Sequence, residues 1–199
     1  EKWVGSGLIV TSLLNRQLMK MNAPNFGKLP KKLDNSLSDE YTTIAVDQTR
    51  KTVGCDLYHS WFPRGERVTF PFWQHSKKGV KLLGAVTDEQ ELFATEVVDR
   101  FTSDVTIRFL RALQDEFGEK IHVLLDNASY FKSQQVRDFI EETQIEVTYF
   151  PRGSPDLNPV EECWRQLKRT LGNRFFDSID ELRPAMTTAL DQINPPQIT

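Results

Sequence analysis

The chain is poor in cysteine and histidine, and what it has is scattered. Cys55 and Cys163 are its only thiols and stand in no CxxC pair, which excludes a zinc knuckle and a disulfide framework. His59, His75 and His122 form no HxH or HxxxH pair, so the ligand set of a zinc hydrolase is missing. Two isolated thiols fit a reducing, cytoplasmic compartment. No apolar run approaches the roughly 20 residues a membrane helix needs, so no membrane partner is expected. Leu8-Ile9-Val10 is too short for the core of a signal peptide and lacks a basic flank. Nor is there an excess of positive charge: 25 Lys and Arg against 28 Asp and Glu leave a net charge of −3.

What is present suits one globular domain with an appendage. The 199 residues are 39% hydrophobic, enough for a sizeable core. Residues 1–40 differ from the rest. Leu8 to Met21 is compatible with a short helix, Asn25 to Lys32 reads as linker, and Ser36 to Glu40 is polar and turn-like. This segment is expected to be an arm, or the tail of a missing DNA-binding region. From Tyr41 the pattern turns to strands: Thr42 to Val46, Val53 to Trp61, Val80 to Val86, and Leu92 to Val98 after the turn Thr87-Asp88-Glu89-Gln90. Short connections between them predict an antiparallel meander. The rhythm then becomes α/β. Helices are expected over 104–117, 133–143, 158–171 and 178–193, and strands over 121–125 and 145–150. Ile121 to Leu125 is nearly all apolar, as a strand buried on both faces should be. The fold class is therefore α/β: a mixed sheet, antiparallel meander then parallel strands, flanked by helices.

Three carboxylates stand out. Asp47 and Asp126 each close an apolar strand, where sites gather in such sheets. Glu161 lies one turn into a helix that opens Asn158-Pro159, a good cap followed by proline at the first helical position. Phosphodiester chemistry uses two divalent ions about 4 Å apart, held by carboxylates from separate elements. Each residue also has a plain structural reading. Asp47 and Asp126 fit turns or caps. Glu161 has the spacing of a capping box, in which it would only bond back to the N–H of Asn158. Helical phase puts Val160, Trp164, Leu167 and Leu171 on the buried stripe, with Glu161 at its border and Glu162 pointing elsewhere. Glu161 is accordingly preferred as the ligand.

Leu124-Leu125-Asp126-Asn127-Ala128, then Ser154-Pro155-Asp156-Leu157-Asn158-Pro159-Val160-Glu161, Trp164 and Lys168, resembles the DDE transposases of the mariner superfamily, notably their bacterial and archaeal insertion-sequence members. The 34 residues between Asp126 and Glu161 match a spacing of that group, and the likeness extends over roughly residues 42 to 195. It implies an RNase H-like fold over 41–199 and a catalytic, metal-holding triad of Asp47, Asp126 and Glu161. It also implies two Mg²⁺ or Mn²⁺ ions, nicking of transposon ends, and transfer of the freed 3′-hydroxyl to target DNA. Double-stranded DNA, a homodimer and a prokaryotic nucleoid setting are implied likewise. Two positions depart from the family pattern: Gln48 where Glu is frequent, and Phe131 where His is frequent.

A basic stripe for DNA is expected from Arg64 and Arg152, each in a Phe-Pro-Arg-Gly turn, with Lys77, Lys78, Arg165 and Lys168. Ordinary solubilising charge is the competing reading. Two other functions stay open: a phosphohydrolase with Asp47 as nucleophile, and a remnant that binds DNA without cutting it. The first lacks a second Asp two residues on, and leaves the Asn-Pro-Val-Glu helix unexplained.

Overall fold

The computed structural model describes residues 41–58, 64–65, 69 and 77–198. The expected arm over 1–40 lies outside the described residues. Among the described residues, five strands form one mixed sheet: β1 (Thr42–Thr52), β2 (Gly79–Thr87), β3 (Leu92–Glu96), β4 (Ile121–Leu125) and β5 (Ile145–Tyr149). Their order across the sheet is β3-β2-β1-β4-β5. The first three strands pair antiparallel, whereas β4 lies parallel to β1 and β5 parallel to β4.

The described residues also form four α-helices: α1 (Ser103–Phe117) between β3 and β4, α2 (Gln134–Glu141) between β4 and β5, then α3 (Pro159–Thr170) and α4 (Ile179–Leu190). Each begins at a side-chain cap, Thr102, Ser133, Asn158 and Ser178 respectively, which satisfies an otherwise orphaned N–H of the first turn. α1 stops at Gly118, whose φ of 105° is open to glycine at little cost.

Alternation along the strands sorts the core into two layers. Ile44, Val46, Val123 and Leu125 meet Phe109, Leu113, Val136 and Phe139 of α1 and α2 on one face. Ala45, Leu82, Val86 and Leu124 meet Val160, Trp164, Leu167, Leu182 and Met186 of α3 and α4 on the other. A central strand sandwiched this way must be apolar on both faces, which is why Ile121 to Leu125 is fully buried.

The meander differs from expectation in one respect. β1 does not end at Val46 but runs on through Thr52, paired with β2 as far as Thr52↔Gly79. The polar run Asp-Gln-Thr-Arg-Lys hides this, because its inward members bury polar groups. Lys51, 3% exposed, pairs with Asp56 at 3.0 Å and lies over the Phe176 ring. A strand over 53–61 is not formed by the described residues 53–58, which are irregular apart from a bridge between Gly54 and Phe176; the remainder lies outside the described residues.

Candidate active site

Parallel pairing between β1 and β4 is last made at Ala45↔Leu124. Two residues further along each strand come Asp47 and Asp126, so the register sets the two carboxylates level. Asp47 is therefore mid-strand in β1 and not at a strand end as expected, but it stands where β4 stops and the parallel half of the sheet opens. Asp126 is half-buried just past β4, and its Oδ1 accepts the Ala128 N–H at 2.9 Å.

The third carboxylate arrives on α3. After β5 the chain makes a single 3-10 turn, Pro155–Leu157, and reaches Asn158. The buried Asn158 does two jobs: its Oδ1 caps Val160 N–H at 3.2 Å, and its Nδ2 donates to Val46 O at 3.4 Å. The start of α3 is thus tied to the residue preceding Asp47. The capping-box alternative for Glu161 is not formed, because the N–H of Asn158 is already given to Pro155 O at 2.9 Å. The Glu161 carboxylate makes no hydrogen bond or ion pair with any described residue. Glu162, in contrast, holds Arg165 at 2.6 Å and Gln166 at 3.3 Å.

Electrostatics links the three. Asp47 is 4% exposed, and its Oδ2 has no hydrogen-bond partner. Burial, then the charge of Glu161, with a further contribution from Asp126, pushes its pKa up to about 7. The Trp164 indole N–H, also buried and unpartnered, falls short of a hydrogen bond to Asp47 yet draws its pKa down slightly. Trp164 fits there because Gly84 is directly across the ladder from Asp47. A Cβ at Gly84 would meet the indole at 2.4 Å, so only glycine leaves room for the ring.

The donor set is chemically uniform. Burial pushes the Cys163 thiol up to about 12, and the buried His122 bonds Thr148 at 2.9 Å with its pKa lowered by burial. Neither offers a soft ligand to the site. Three carboxylates suit a hard cation such as Mg²⁺ or Mn²⁺, and the orphaned Oδ2 of Asp47 is the atom such a cation would satisfy. Among the described residues, no three acidic, imidazole or thiol groups stand close enough as arranged to share one ion. Two carboxylates per Mg²⁺ are enough when water and phosphate oxygens complete the shell.

Of the expected basic residues, Lys77 and Lys78 stand away from these carboxylates. Lys77 and Lys78 are exposed just before β2, and the Thr52↔Gly79 pair there is about 17 Å along the strand from Asp47. Lys78 also lines a cavity of about 670 Å³ with Val53, Gly54, Phe176 and Arg183, none of which is a triad residue. Arg64 is an exposed turn residue. Arg165 is taken up by Glu162. Arg152 is exposed in the loop after β5, and Lys168 is half-buried on α3 about 10 Å beyond Glu161.

Two nearby residues, Tyr130 and Lys132, escaped the sequence reading, and Gln48 entered it only as a departure from the family pattern. Tyr130 donates its hydroxyl to Gln48 Oε1, and Gln48 Nε2 donates to Asp126 Oδ2 at 3.4 Å. Lys132 donates to Asn127 Oδ1 and lies 4.5 Å over the Tyr149 ring, with no carboxylate partner among the described residues. For Tyr130 and Lys132 the sole signal was proximity in sequence to Asp126.

The chain is similar to known transposases. The Tc3 transposase of Caenorhabditis elegans is 23% identical over 206 aligned positions, 97% of this chain and 62% of that protein. The chain thus spans about three fifths of the relative's length. A Mos1 transposase paired-end complex with its left transposon end superposes with a TM-score of 0.61 at 17% identity, over 91% of this chain and 61% of the other. The Mos1 catalytic domain with raltegravir and Mg gives 0.54 at 19%, over 76% and 72%. These likenesses are of fold, and they make the sheet RNase H-like. The family described as DDE superfamily endonuclease matches residues 42–183, from the start of β1 into α4. With most of its length inside that match, Asp47, Asp126 and Glu161 included, the chain belongs to the DDE superfamily of endonucleases.

Proposed function

We propose that this chain is the catalytic part of a transposase that nicks the ends of a DNA element and joins the freed 3′-hydroxyl to target DNA, with Asp47, Asp126 and Glu161 as its catalytic, metal-holding residues. One observation carries the reading: a buried Asp47 carboxylate with an unpartnered oxygen, flanked electrostatically by Glu161 and Asp126. Like charges are driven together in a fold only where something cationic offsets them, or where function demands it. Solved Mos1 paired-end complexes carry Mg or Mn. Two such ions on these carboxylates would offset charge on the scissile phosphate and lower the pKa of an attacking water.

The protein's share of the work is placement. Asp47 is fixed by the β1–β2 ladder, and Asp126 by the Ala128 N–H. The tie from Asn158 to Val46 anchors the start of the helix that would carry Glu161 to them. In nicking, a water oxygen bonds to phosphorus and the P–O3′ bond breaks, leaving a 3′-hydroxyl and a 5′-phosphate. In joining, that 3′-oxygen bonds to a target phosphorus and the target P–O3′ bond breaks, so the number of phosphodiester bonds is conserved. Arg152 and Lys168, on elements adjoining the site, would hold phosphates beside the cut. Arg64, Lys77, Lys78 and Arg165 would serve the duplex further away. We assign double-stranded DNA as partner, a homodimer as the acting form and prokaryotic cytoplasm as the setting.

A remnant that binds DNA without cutting is the second reading, favoured by the absence among the described residues of a three-ligand cluster as arranged. Nicking of a duplex bearing the element's own end separates the two. Wild type should cut with Mg²⁺ or Mn²⁺, Asp126→Asn and Glu161→Gln should not, and Glu162→Gln should. Binding by wild type with no metal-dependent cutting would overturn the proposal in favour of the remnant.

A further inference from the structure

We propose that Tyr130 and Gln48 form a relay that sets the orientation of the Asp126 carboxylate, which makes both of them positioning residues of the site. The inference rests on the metal-holding role given to Asp126 above. It begins from a mechanical problem. Asp126 lies past the last residue of β4, so no strand pairing holds it, and its side chain is half-buried. A carboxylate in that position would rotate about χ2 unless both its oxygens were engaged. Both are. Oδ1 takes the Ala128 N–H at 2.9 Å, and Oδ2 takes Gln48 Nε2 at 3.4 Å.

The second of these bonds is only as good as the orientation of the Gln48 amide. Its two ends are nearly the same size, and with the oxygen turned inward it would repel Asp126. The carboxylate only accepts, so Nε2 must face Asp126, and Tyr130 holds the amide in that orientation by giving its hydroxyl to Gln48 Oε1. The phenol is itself held. Its ring stacks on Phe101 with centroids 5.8 Å apart at 24°, and lies 4.6 Å from the ring of Phe131, which is fully buried. The chain of restraint therefore runs from the core, through an aromatic ring, a hydroxyl and an amide, to one oxygen of Asp126. Two positions that look like departures from the family pattern, Gln48 and Phe131, are its two supports.

Partners that orient a ligand commonly change metal affinity by about 10-fold or more when removed. The test is Mn²⁺ binding to the full chain, without DNA, followed by the loss of the free-ion electron paramagnetic resonance signal. Tyr130→Phe keeps the ring stack and removes the hydroxyl alone; Gln48→Leu keeps bulk and removes the amide. Each should weaken Mn²⁺ binding by about 10-fold. Because the two act in series, the double variant should be no weaker than Gln48→Leu, a non-additivity that independent packing defects would not produce. Wild-type affinity in Tyr130→Phe, or losses that multiply in the double variant, would overturn the relay while leaving the metal site standing. Failure of the wild type itself to bind Mn²⁺ would overturn both the relay and the function it rests on.

Discussion

Replacing Asp47 by asparagine should make the metal-free protein more stable, and only at neutral to alkaline pH. Burial, then Glu161 and Asp126, raises the folded-state pKa of Asp47 to about 7 from an ordinary 3.8. Between those values the folded chain binds more protons at this carboxyl than the unfolded chain does. Its contribution is full below pH 3.8, falls as pH rises, and is gone above about 7. From pH 5 to pH 8 the wild type crosses the upper two units of that window, which at about 1.4 kcal/mol each is a loss of about 3 kcal/mol. The asparagine variant has no proton to lose at this position and would escape the loss. For a chain of this size about 3 kcal/mol corresponds to roughly 6–12 °C in Tm. The assay is thermal unfolding of both proteins in a chelator at pH 5 and pH 8, with titrating groups that do not face Asp47 cancelling in the difference. The variant should gain about 3 kcal/mol on the wild type between the two pH values. Parallel pH profiles would refute the claim that a folded chain crowds an unpaired charge at Asp47.

Three other perturbations test the scaffold. Gly84→Ala puts a methyl 2.4 Å from the buried Trp164 ring, and should cost about 1–3 kcal/mol in urea unfolding. Asn158→Ala removes the cap of α3 and its tie to Val46, which should cost about 1–2 kcal/mol in the same measurement. Lys132→Gln removes an ammonium that Asn127 and the Tyr149 ring hold at the end of β4; it should weaken duplex binding and reduce the slope of log affinity against log salt by about one.

Local chemistry carried most of the fold to the surface of the sequence. The continuous apolar run of β4, the Asn158-Pro159 start of α3 and the Gly118 stop of α1 each announce their element, and helical phase separated Glu161 from Glu162 before any contact was visible. What stayed hidden depends on partners far along the chain. The extension of β1 through Thr49 and Lys51 looks like a loop until Asp56 and Phe176 are seen to accommodate the lysine. The capping box at Glu161 was a sound local reading, and it fails because Pro155 takes the Asn158 N–H first. The Gln48–Asp126 bond joins residues on strands related only by parallel register, and Lys132 has no motif to mark it. Local pattern reports elements and phase; it does not report which distant polar groups meet.

The central claim is that Asp47, Asp126 and Glu161 hold divalent ions in common. It is tested most directly by diffraction from crystals of this chain grown or soaked in Mn²⁺, with data collected for the metal's anomalous signal. The account predicts anomalous density against the carboxylates of Asp47 and Asp126, with Glu161 completing the site and Glu162 still on Arg165. Density confined to other surfaces, or Glu162 in the place of Glu161, would contradict it.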